Sequence, residues 1–216
     1  MKITHHPDDA TLMSYAAGSL PESLAAVVSA HITMCPICQH EVRAMERVGV
    51  ALMETLAPSA LARAVPQMAL RAMEAEVGTP AIADVDPLAD MPMPLRHLAG
   101  ARIEEIHWKR LGMGIWNAPL KLSHVGDGDL RLLRVGPGRA MPEHGHGGSE
   151  LTLILRGCYR DEFGEYWPGD VADLDELVEH RPLAHPELGC ICVIASERPA
   201  KFKGLFGRIM QPLTGL

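Results

Sequence analysis

GRAMPEHGHGGSELTLILRG, residues 138–157, is the stretch that decides the fold of the second half of this chain. His144 and His146 are two residues apart, so both imidazoles face the same way on an extended segment. The intervening glycines let the chain turn and bring Glu150 back at the head of the next strand. Because two imidazoles and a carboxylate suit a divalent ion such as Zn, Fe, Mn or Ni, the stretch predicts a metal site on a β scaffold.

A fourth ligand for this site is expected from a later strand. His180 follows the strand that should begin near residues 166–170, Tyr-Trp-Pro-Gly-Asp, and is the favoured candidate. His185 lies five residues further on and stays open as the alternative. The predicted set is therefore His144, His146, Glu150 and one of these two histidines.

The rest of the second half has the pattern of short strands. Apolar segments at 103–108, 130–135, 151–155 and 190–195 are separated by glycine and proline, which predicts an all-β sandwich or barrel. Cys190 and Cys192 lie on one face of the last of these segments. Two reduced thiols there are a possible oxidant-sensing redox pair, and the alternative is that they are small side chains packed inside the barrel.

The first half has helical periodicity. A first helix is expected to begin after Pro7 and to end at Gly18, a second to run from Pro21 to about residue 32, and a third from about Pro36 to residue 56. Another helical stretch follows residue 58, with a break or kink at Pro66. The sequence predicts a small helical bundle.

A second cluster of metal ligands lies at the junction of the second and third helices. Residues 31–38, HITMCPIC, contain His31, Cys35 and Cys38 in an H-x3-C-x2-C pattern. Three such ligands leave a tetrahedral Zn²⁺ one short, so an upstream residue must complete the set. His6 is favoured, although His5 could replace it and His40 is a weaker substitute. Four protein ligands would close the coordination shell, so the zinc would be structural and would staple the helices together.

The two halves are joined by a proline-rich stretch. Four prolines lie between residues 80 and 94, a composition that predicts an extended linker. We therefore expect an α+β, multidomain chain: a helical zinc-binding domain at 1–77, a linker at 78–95, and an all-β metal-binding domain at 96–216.

Composition and charge exclude several kinds of function. The 216 residues contain 20 Lys and Arg against 27 Asp and Glu, a net charge of −7, which argues against direct binding to nucleic acid. The excess is uneven, because residues 1–94 carry 5 basic and 11 acidic side chains. No apolar run is long enough to span a membrane, and five cysteines, an odd count, favour thiols and metal ligands over a disulfide framework. We expect a soluble, cytoplasmic protein.

The histidine-rich pattern resembles the first signature of the cupin superfamily. It reads G-x5-H-x-H-x3-E-x6-G over residues 138–157. The resemblance implies a small barrel of the jelly-roll type with the metal inside. The later cupin signature is less regular here, since His180 lies eleven residues beyond Gly169 rather than soon after that turn.

The two metal motifs together, over essentially the whole chain, resemble the ChrR family of bacterial anti-sigma factors. The resemblance implies zinc on His6, His31, Cys35 and Cys38, and a second metal, zinc again, in the barrel. It also implies that the helices bind an extracytoplasmic-function sigma factor, with the cupin domain needed for release in response to oxidative stress such as singlet oxygen or organic peroxides. The competing interpretation is a metal-dependent cupin enzyme, for example a dioxygenase, isomerase or lyase. No evident general base accompanies the ligands, although Glu165 and Tyr166 could lie near the mouth of the barrel. The resemblance favours a regulator.

Overall fold

The structure is a computed structural model that describes residues 2–59, 89–112, 114–123 and 128–198, together with the backbone of residues 201 and 202. The predicted helical stretch after residue 58 lies outside the described residues, as does most of the predicted linker. No helix in the described part of the chain is long and apolar enough to cross a bilayer.

The first half forms three helices, and a short one precedes the barrel. The Asp8 side chain caps the first helix by accepting a hydrogen bond from the Thr11 amide at 2.6 Å. Gly18 follows its end with a φ of +68°, as a helix stop requires. The helices are α1 (Asp9–Ala16), α2 (Glu22–Met34), α3 (Pro36–Glu54) and α4 (Arg96–Ala99), with 3₁₀ turns at Met93–Leu95 and Ile103–Glu105.

The second half forms twelve described strands in three antiparallel sheets. The large sheet has the order β1-β2-β3-β11-β5-β8, and two three-stranded sheets, β10-β6-β7 and β12-β4-β9, complete the barrel. The strands are β1 (Lys109–Gly112), β2 (Ile115–Pro119), β3 (Asp129–Val135), β4 (His144–Gly145), β5 (Glu150–Gly157), β6 (Tyr159–Arg160), β7 (Glu165–Tyr166), β8 (Val171–Leu174), β9 (Glu179–His180), β10 (Leu183–Ala184), β11 (Cys190–Ser196) and β12 (Lys201–Phe202).

The central strands of the large sheet are buried on both faces. On β3, Leu130 and Leu132 belong to the core shared with the helices, whereas Leu133 and Val135 belong to the core inside the barrel. Successive side chains on a strand point to opposite faces, so one strand supplies both cores.

The helical half therefore packs on the outer face of the barrel, and α2 makes the direct contact. Leu24, Val27 and Val28 of α2 share one core with the large sheet. Met91 and Leu95, at the end of the predicted linker, are also buried in this core. The predicted boundaries at 77 and 95 stay predictions, but the two halves of the described chain are joined by packing as well as by chain connection.

Three expectations about secondary structure need correction. Residues 103–108 were expected to form a strand, but Ile103–Glu105 is a 3₁₀ turn and the first strand begins at Lys109. α2 runs two residues past the expected end at 32, to Met34. α3 ends at Glu54, two residues before the expected end. In the 103–108 segment only Ile103 is deeply buried, so its apolar residues do not form the alternating face that a strand needs.

Two candidate metal centres

The first cluster forms where three segments of the first half meet. Cys35 separates α2 from α3, and its amide donates to the His31 carbonyl at 2.8 Å, which ends α2. Pro36 then opens α3 at a position where its missing N–H costs nothing. His6 comes from the extended segment before α1. The structure thereby brings the four predicted residues, His6, His31, Cys35 and Cys38, within 4.8 Å of one another through one ligand atom each.

The distances in this cluster fit a tetrahedral ion. His6 Nδ1 lies 3.4 Å from Cys35 Sγ and 3.3 Å from Cys38 Sγ, and His31 Nε2 lies 3.3 Å from Cys38 Sγ. Zinc bonds of about 2.3 Å to sulfur and about 2.0 Å to nitrogen, at tetrahedral angles, would separate the sulfur from the nitrogen by about 3.5 Å. The set could hold Zn²⁺ after only small adjustments.

The second half of the chain orients one of these ligands. His31 is fully buried, and its Nδ1 lies 2.8 Å from the carbonyl oxygen of Gly169 in the turn before β8. A donor Nδ1–H leaves Nε2 free for the metal, which is how metal-binding histidines are usually held. Burial lowers the pKa of His31 to about 4, against the opposing effect of that carbonyl. The imidazole is therefore neutral at neutral pH, as a ligand must be.

The pKa of a thiol in this cluster shifts in the direction opposite to that of His31. Burial, together with the neighbouring Cys35, raises the pKa of the Cys38 thiol to about 12. Such a thiol stays protonated unless a cation compensates the charge of the thiolate, so this cluster favours a bound metal over a reactive free thiol.

The alternative ligands lie elsewhere. The His5 ring lies against Tyr166, with ring centroids 4.4 Å apart, and its Nδ1 is 3.5 Å from Asp170 Oδ2. His40 is exposed on α3 and does not belong to the cluster. Of the candidates for the fourth ligand, the structure brings His6 alone to the thiols.

The second cluster lies inside the barrel. His144 on β4 pairs directly with His180 on β9, so both side chains leave the same face of the small sheet. Glu150 begins β5, and its Oε2 lies 3.2 Å from His146 Nδ1. All four side chains are buried, and their ligand atoms lie within 4.8 Å of one another. His185 is not part of this cluster, because its Nδ1 accepts hydrogen bonds from the amides of Glu187 and Leu188.

The polar atoms of this cluster fit a metal. The Nε2 atoms of His146 and His180 are buried and have no hydrogen-bond partner, a costly state that a cation would relieve. The Nδ1 atoms of His144 and His180 lie 2.9 Å from the Pro142 carbonyl and from Asp161 Oδ2 respectively, so their Nε2 atoms face the centre. Burial lowers the pKa of His144, which keeps it neutral.

A cavity of about 120 Å³ adjoins this cluster. Its wall includes Tyr159, whose hydroxyl is buried without a hydrogen-bond partner, and Arg131, which is ion-paired with Asp129. Cys190 and Cys192 also line it, both as buried free thiols. A hydrogen bond with Cys190, together with burial, raises the pKa of the Cys192 thiol well above its ordinary value, so it is not an activated thiolate.

Sequence reasoning missed the residues that support both clusters. Asp161 and the Gly169 carbonyl each hold a histidine by Nδ1. Asp170 accepts hydrogen bonds from the amides of Thr4 and His5. The Pro-Gly-Asp turn was visible as the start of a strand, but nothing in its sequence indicates a contact with residues more than 160 positions away.

Comparison with known proteins gives the family. The family model described as the ChrR cupin-like domain matches residues 96–199. Anti-sigma-E factor ChrR of Cereibacter sphaeroides is 38% identical to this chain over 213 residues, which cover 98% of both proteins. The chain belongs to the ChrR family of anti-sigma factors. Membership of the ChrR family makes it a regulator rather than an enzyme.

Solved structures agree with this assignment. The crystal structure of Rhodobacter sphaeroides SigE in complex with the anti-sigma ChrR matches with a TM-score of 0.75 and 38% identity, over 90% of this chain and 99% of that one. The expected order, with helices followed by a cupin barrel, is thus confirmed for a ChrR-family protein. A putative acetylacetone dioxygenase from Methylibium petroleiphilum matches with a TM-score of only 0.42 and 15% identity, over 49% of this chain and 80% of that one. That likeness supports no conclusion about chemistry.

Proposed function

We propose that this chain holds an extracytoplasmic-function sigma factor inactive through its helices and releases it when the barrel senses oxidative stress such as singlet oxygen or an organic peroxide. The observation that carries the proposal is the full-length relation to an anti-sigma factor, combined with an apolar groove on the helices that nothing in the described chain covers. A sigma factor works with RNA polymerase, so the proposal places the protein in the cytoplasm.

The groove lies between α1 and α3. Gly49 lines it, together with apolar side chains that are mostly exposed: Val48 at 56%, Leu52 at 64% and Met53 at 69%. Met13 of α1, 49% exposed, forms the other side. Exposed apolar patches of this kind mark surfaces that bind other proteins, and methionine adapts its shape to a partner.

Charge supports the same partner. Residues 1–94 hold a net charge of −6, whereas the rest of the chain is close to neutral. A sigma factor contacts DNA and must carry basic surface, so an acidic helical half would steer it into contact and compete with its promoter.

Zinc in the helical cluster would be structural. Four protein ligands leave no open position, and they tie the segment before α1 to the junction of α2 and α3. Because α1 and α3 form the two sides of the groove, this site would set the shape of the sigma-binding surface. Loss of the zinc should therefore weaken sigma binding and the stability of the helices together.

The barrel cluster would be the sensory site. His144, His146, Glu150 and His180 would hold a metal, for which we propose zinc, next to the cavity. A bound metal supplies a Lewis acid there, and the chain's own contribution is a mostly apolar cavity for a small molecule.

Cys190 and Cys192 stay a predicted redox pair. Both thiols line the cavity on one face of β11, where a peroxide that entered would meet them. The raised pKa of Cys192 implies that such an oxidation would be slow without further activation.

The groove can be tested by filling it. A Cβ at Gly49 would contact nothing within 4 Å, so a larger side chain begins in open space and Gly49→Leu adds bulk to the groove. Loss of glycine from the helix interior should also stabilise α3, by up to about 1 kcal/mol. We expect Gly49→Leu to weaken binding of the cognate sigma factor at least tenfold in a titration.

The matched control is Ala51→Leu, which adds the same side chain on the same helix outside the groove. It should bind sigma as wild type does. Equal binding by wild type and Gly49→Leu would refute the groove as the sigma site.

A further inference from the structure

A chain of contacts links the two metal clusters without passing through the proline-rich stretch. It begins at Asp161, in the turn between β6 and β7, whose side chain is fully buried. One carboxylate oxygen, Oδ2, lies 2.9 Å from Nδ1 of the barrel ligand His180. The other, Oδ1, accepts hydrogen bonds from the amides of Phe163 at 2.9 Å and Gly164 at 3.1 Å. A single carboxylate thus holds a metal ligand and shapes the turn 161–164.

The turn contacts the segment that precedes α1. A Cβ placed on Gly164 would lie 3.1 Å from His5 Nε2, so the His5 ring packs directly on the backbone of the turn. The same ring lies against Tyr166 on the following strand. If a change at His180 displaces this turn, the His5 ring must move with it.

His5 is fixed to the barrel through its backbone as well, and it is the neighbour of a ligand of the other cluster. Its amide donates to Asp170 Oδ1 at 2.9 Å, and its carbonyl accepts from the Val171 amide at 3.1 Å. The next residue, His6, has its Nδ1 within 3.4 Å of both thiols. A shift of the His5 backbone would therefore move His6 relative to Cys35 and Cys38.

We propose that Asp161 is a positioning residue that couples the two metal clusters. It would orient His180 toward the barrel ion. Through the turn 161–164 and His5, it would also make the binding of His6 to the helical zinc depend on whether the barrel site holds its metal. This inference rests on the proposed function, because it supplies the route by which an event in the barrel reaches the groove between α1 and α3. Coupling of this kind is reciprocal, so loss of the helical zinc must also weaken metal binding in the barrel.

The test is a double-mutant cycle on the full-length, metal-loaded protein. The rate at which the helical zinc passes to a colorimetric chelator is measured in wild type, in His146→Ala to empty the barrel, in His5→Ala to cut the contact, and in the double variant. We expect His146→Ala to speed release about fivefold or more, in the range of typical coupling between sites. In the His5→Ala background, emptying the barrel should change the rate less than twofold.

A second route to the same cycle uses Asp161→Asn, which leaves every ligand in place and serves if His146→Ala fails to fold. It should lower the metal affinity of the barrel by about 10- to 100-fold, as loss of a histidine's outer partner does. It should also speed zinc release from the helices in the presence of His5 and leave it unchanged in His5→Ala. His185→Ala, a barrel histidine outside both clusters, is the control and should behave as wild type.

Three results would overturn the inference: release that is insensitive to the state of the barrel, an effect of equal size with and without His5, or a wild-type barrel that binds no metal. Sigma binding, measured on the same samples, separates this failure from that of the proposed function. A protein that binds sigma but shows no coupling refutes only the route through Asp161.

Discussion

Replacing Asp170 by asparagine tests how the segment before α1 is held on the barrel. The Asp170 side chain is 1% exposed and accepts from three amides: Thr4 at 2.7 Å and His5 at 2.9 Å on Oδ1, and Trp167 at 2.8 Å on Oδ2. An asparagine presents one oxygen and one NH₂ group. Whichever way the amide turns, at least one of these partly buried backbone donors loses its acceptor.

The expected loss of stability follows from the number of hydrogen bonds that Asp170→Asn removes. A hydrogen bond to a charged group contributes about 1.5–3 kcal/mol, and an unsatisfied buried donor is penalised by a similar amount. We predict that Asp170→Asn lowers the free energy of unfolding by about 2–3 kcal/mol and speeds loss of the helical zinc. Urea unfolding of the metal-loaded protein measures the first, and the chelator assay the second.

The pKa of Asp170 determines how the stabilisation by this residue depends on pH. Burial alone would raise the pKa of the Asp170 carboxyl, but the amides of Thr4, Trp167 and His5 outweigh it and hold the pKa below its usual 3.8. Because the folded pKa is depressed, the stabilisation is fully present above 3.8 and is lost as the pH falls through the lowered value. The difference between wild type and Asp170→Asn should therefore shrink in acid.

Asp175→Asn is the control, since that exposed carboxylate also accepts from a backbone amide, that of Leu177 at 2.8 Å. It should change stability by less than about 0.5 kcal/mol. If Asp170→Asn changes the free energy of unfolding as little as Asp175→Asn does at neutral pH, the hydrogen bonds to Asp170 are not what holds the segment before α1 on the barrel.

Three further predictions concern the barrel. Leu153→Ala, at a fully buried position in the core shared with the helices, should cost about 2–5 kcal/mol in urea unfolding, and a cost below 1 kcal/mol would contradict that shared core. Gly157→Ala should lower the free energy of unfolding by at least about 2 kcal/mol, because Gly157 has φ +75° and a Cβ there would lie 2.2 Å from the Gly189 carbonyl oxygen. A wild-type melting curve for this variant would contradict the close approach of Gly157 to Gly189. Cys190→Ser should slow the release of sigma by a hydroperoxide without changing repression, whereas Cys158→Ser should not; release at the wild-type rate in Cys190→Ser would count against the redox pair.

The sequence predicted which residues come together where a motif has fixed local spacing. The H-x3-C-x2-C pattern placed His31, Cys35 and Cys38 together because the chain needs only one helix junction to join them. The glycine-rich turn before Glu150 did the same in the barrel. Each cluster also contains the candidate ligand that was favoured from a distant segment. This is His6 in the helical cluster and His180 in the barrel cluster.

Contacts between the halves could not be predicted, because they depend on tertiary packing. The proline-rich composition suggested two independent domains, yet α2 lies on the barrel and Leu95 is fully buried in the same core. The helical spacing of the apolar residues in α3 predicts an apolar face, and the structure leaves Val48 and Leu52 mostly exposed. Periodicity reports an apolar face and does not tell whether the chain itself or a partner covers it.

Transcription in vitro tests the central claim most directly. RNA polymerase carrying the cognate sigma factor is assayed on a promoter that depends on that factor, with increasing amounts of this protein. We predict loss of transcription at about one equivalent of wild-type protein, retained transcription with Gly49→Leu, and loss again with Ala51→Leu. Transcription that continues undiminished in the presence of excess metal-loaded wild-type protein would contradict the account.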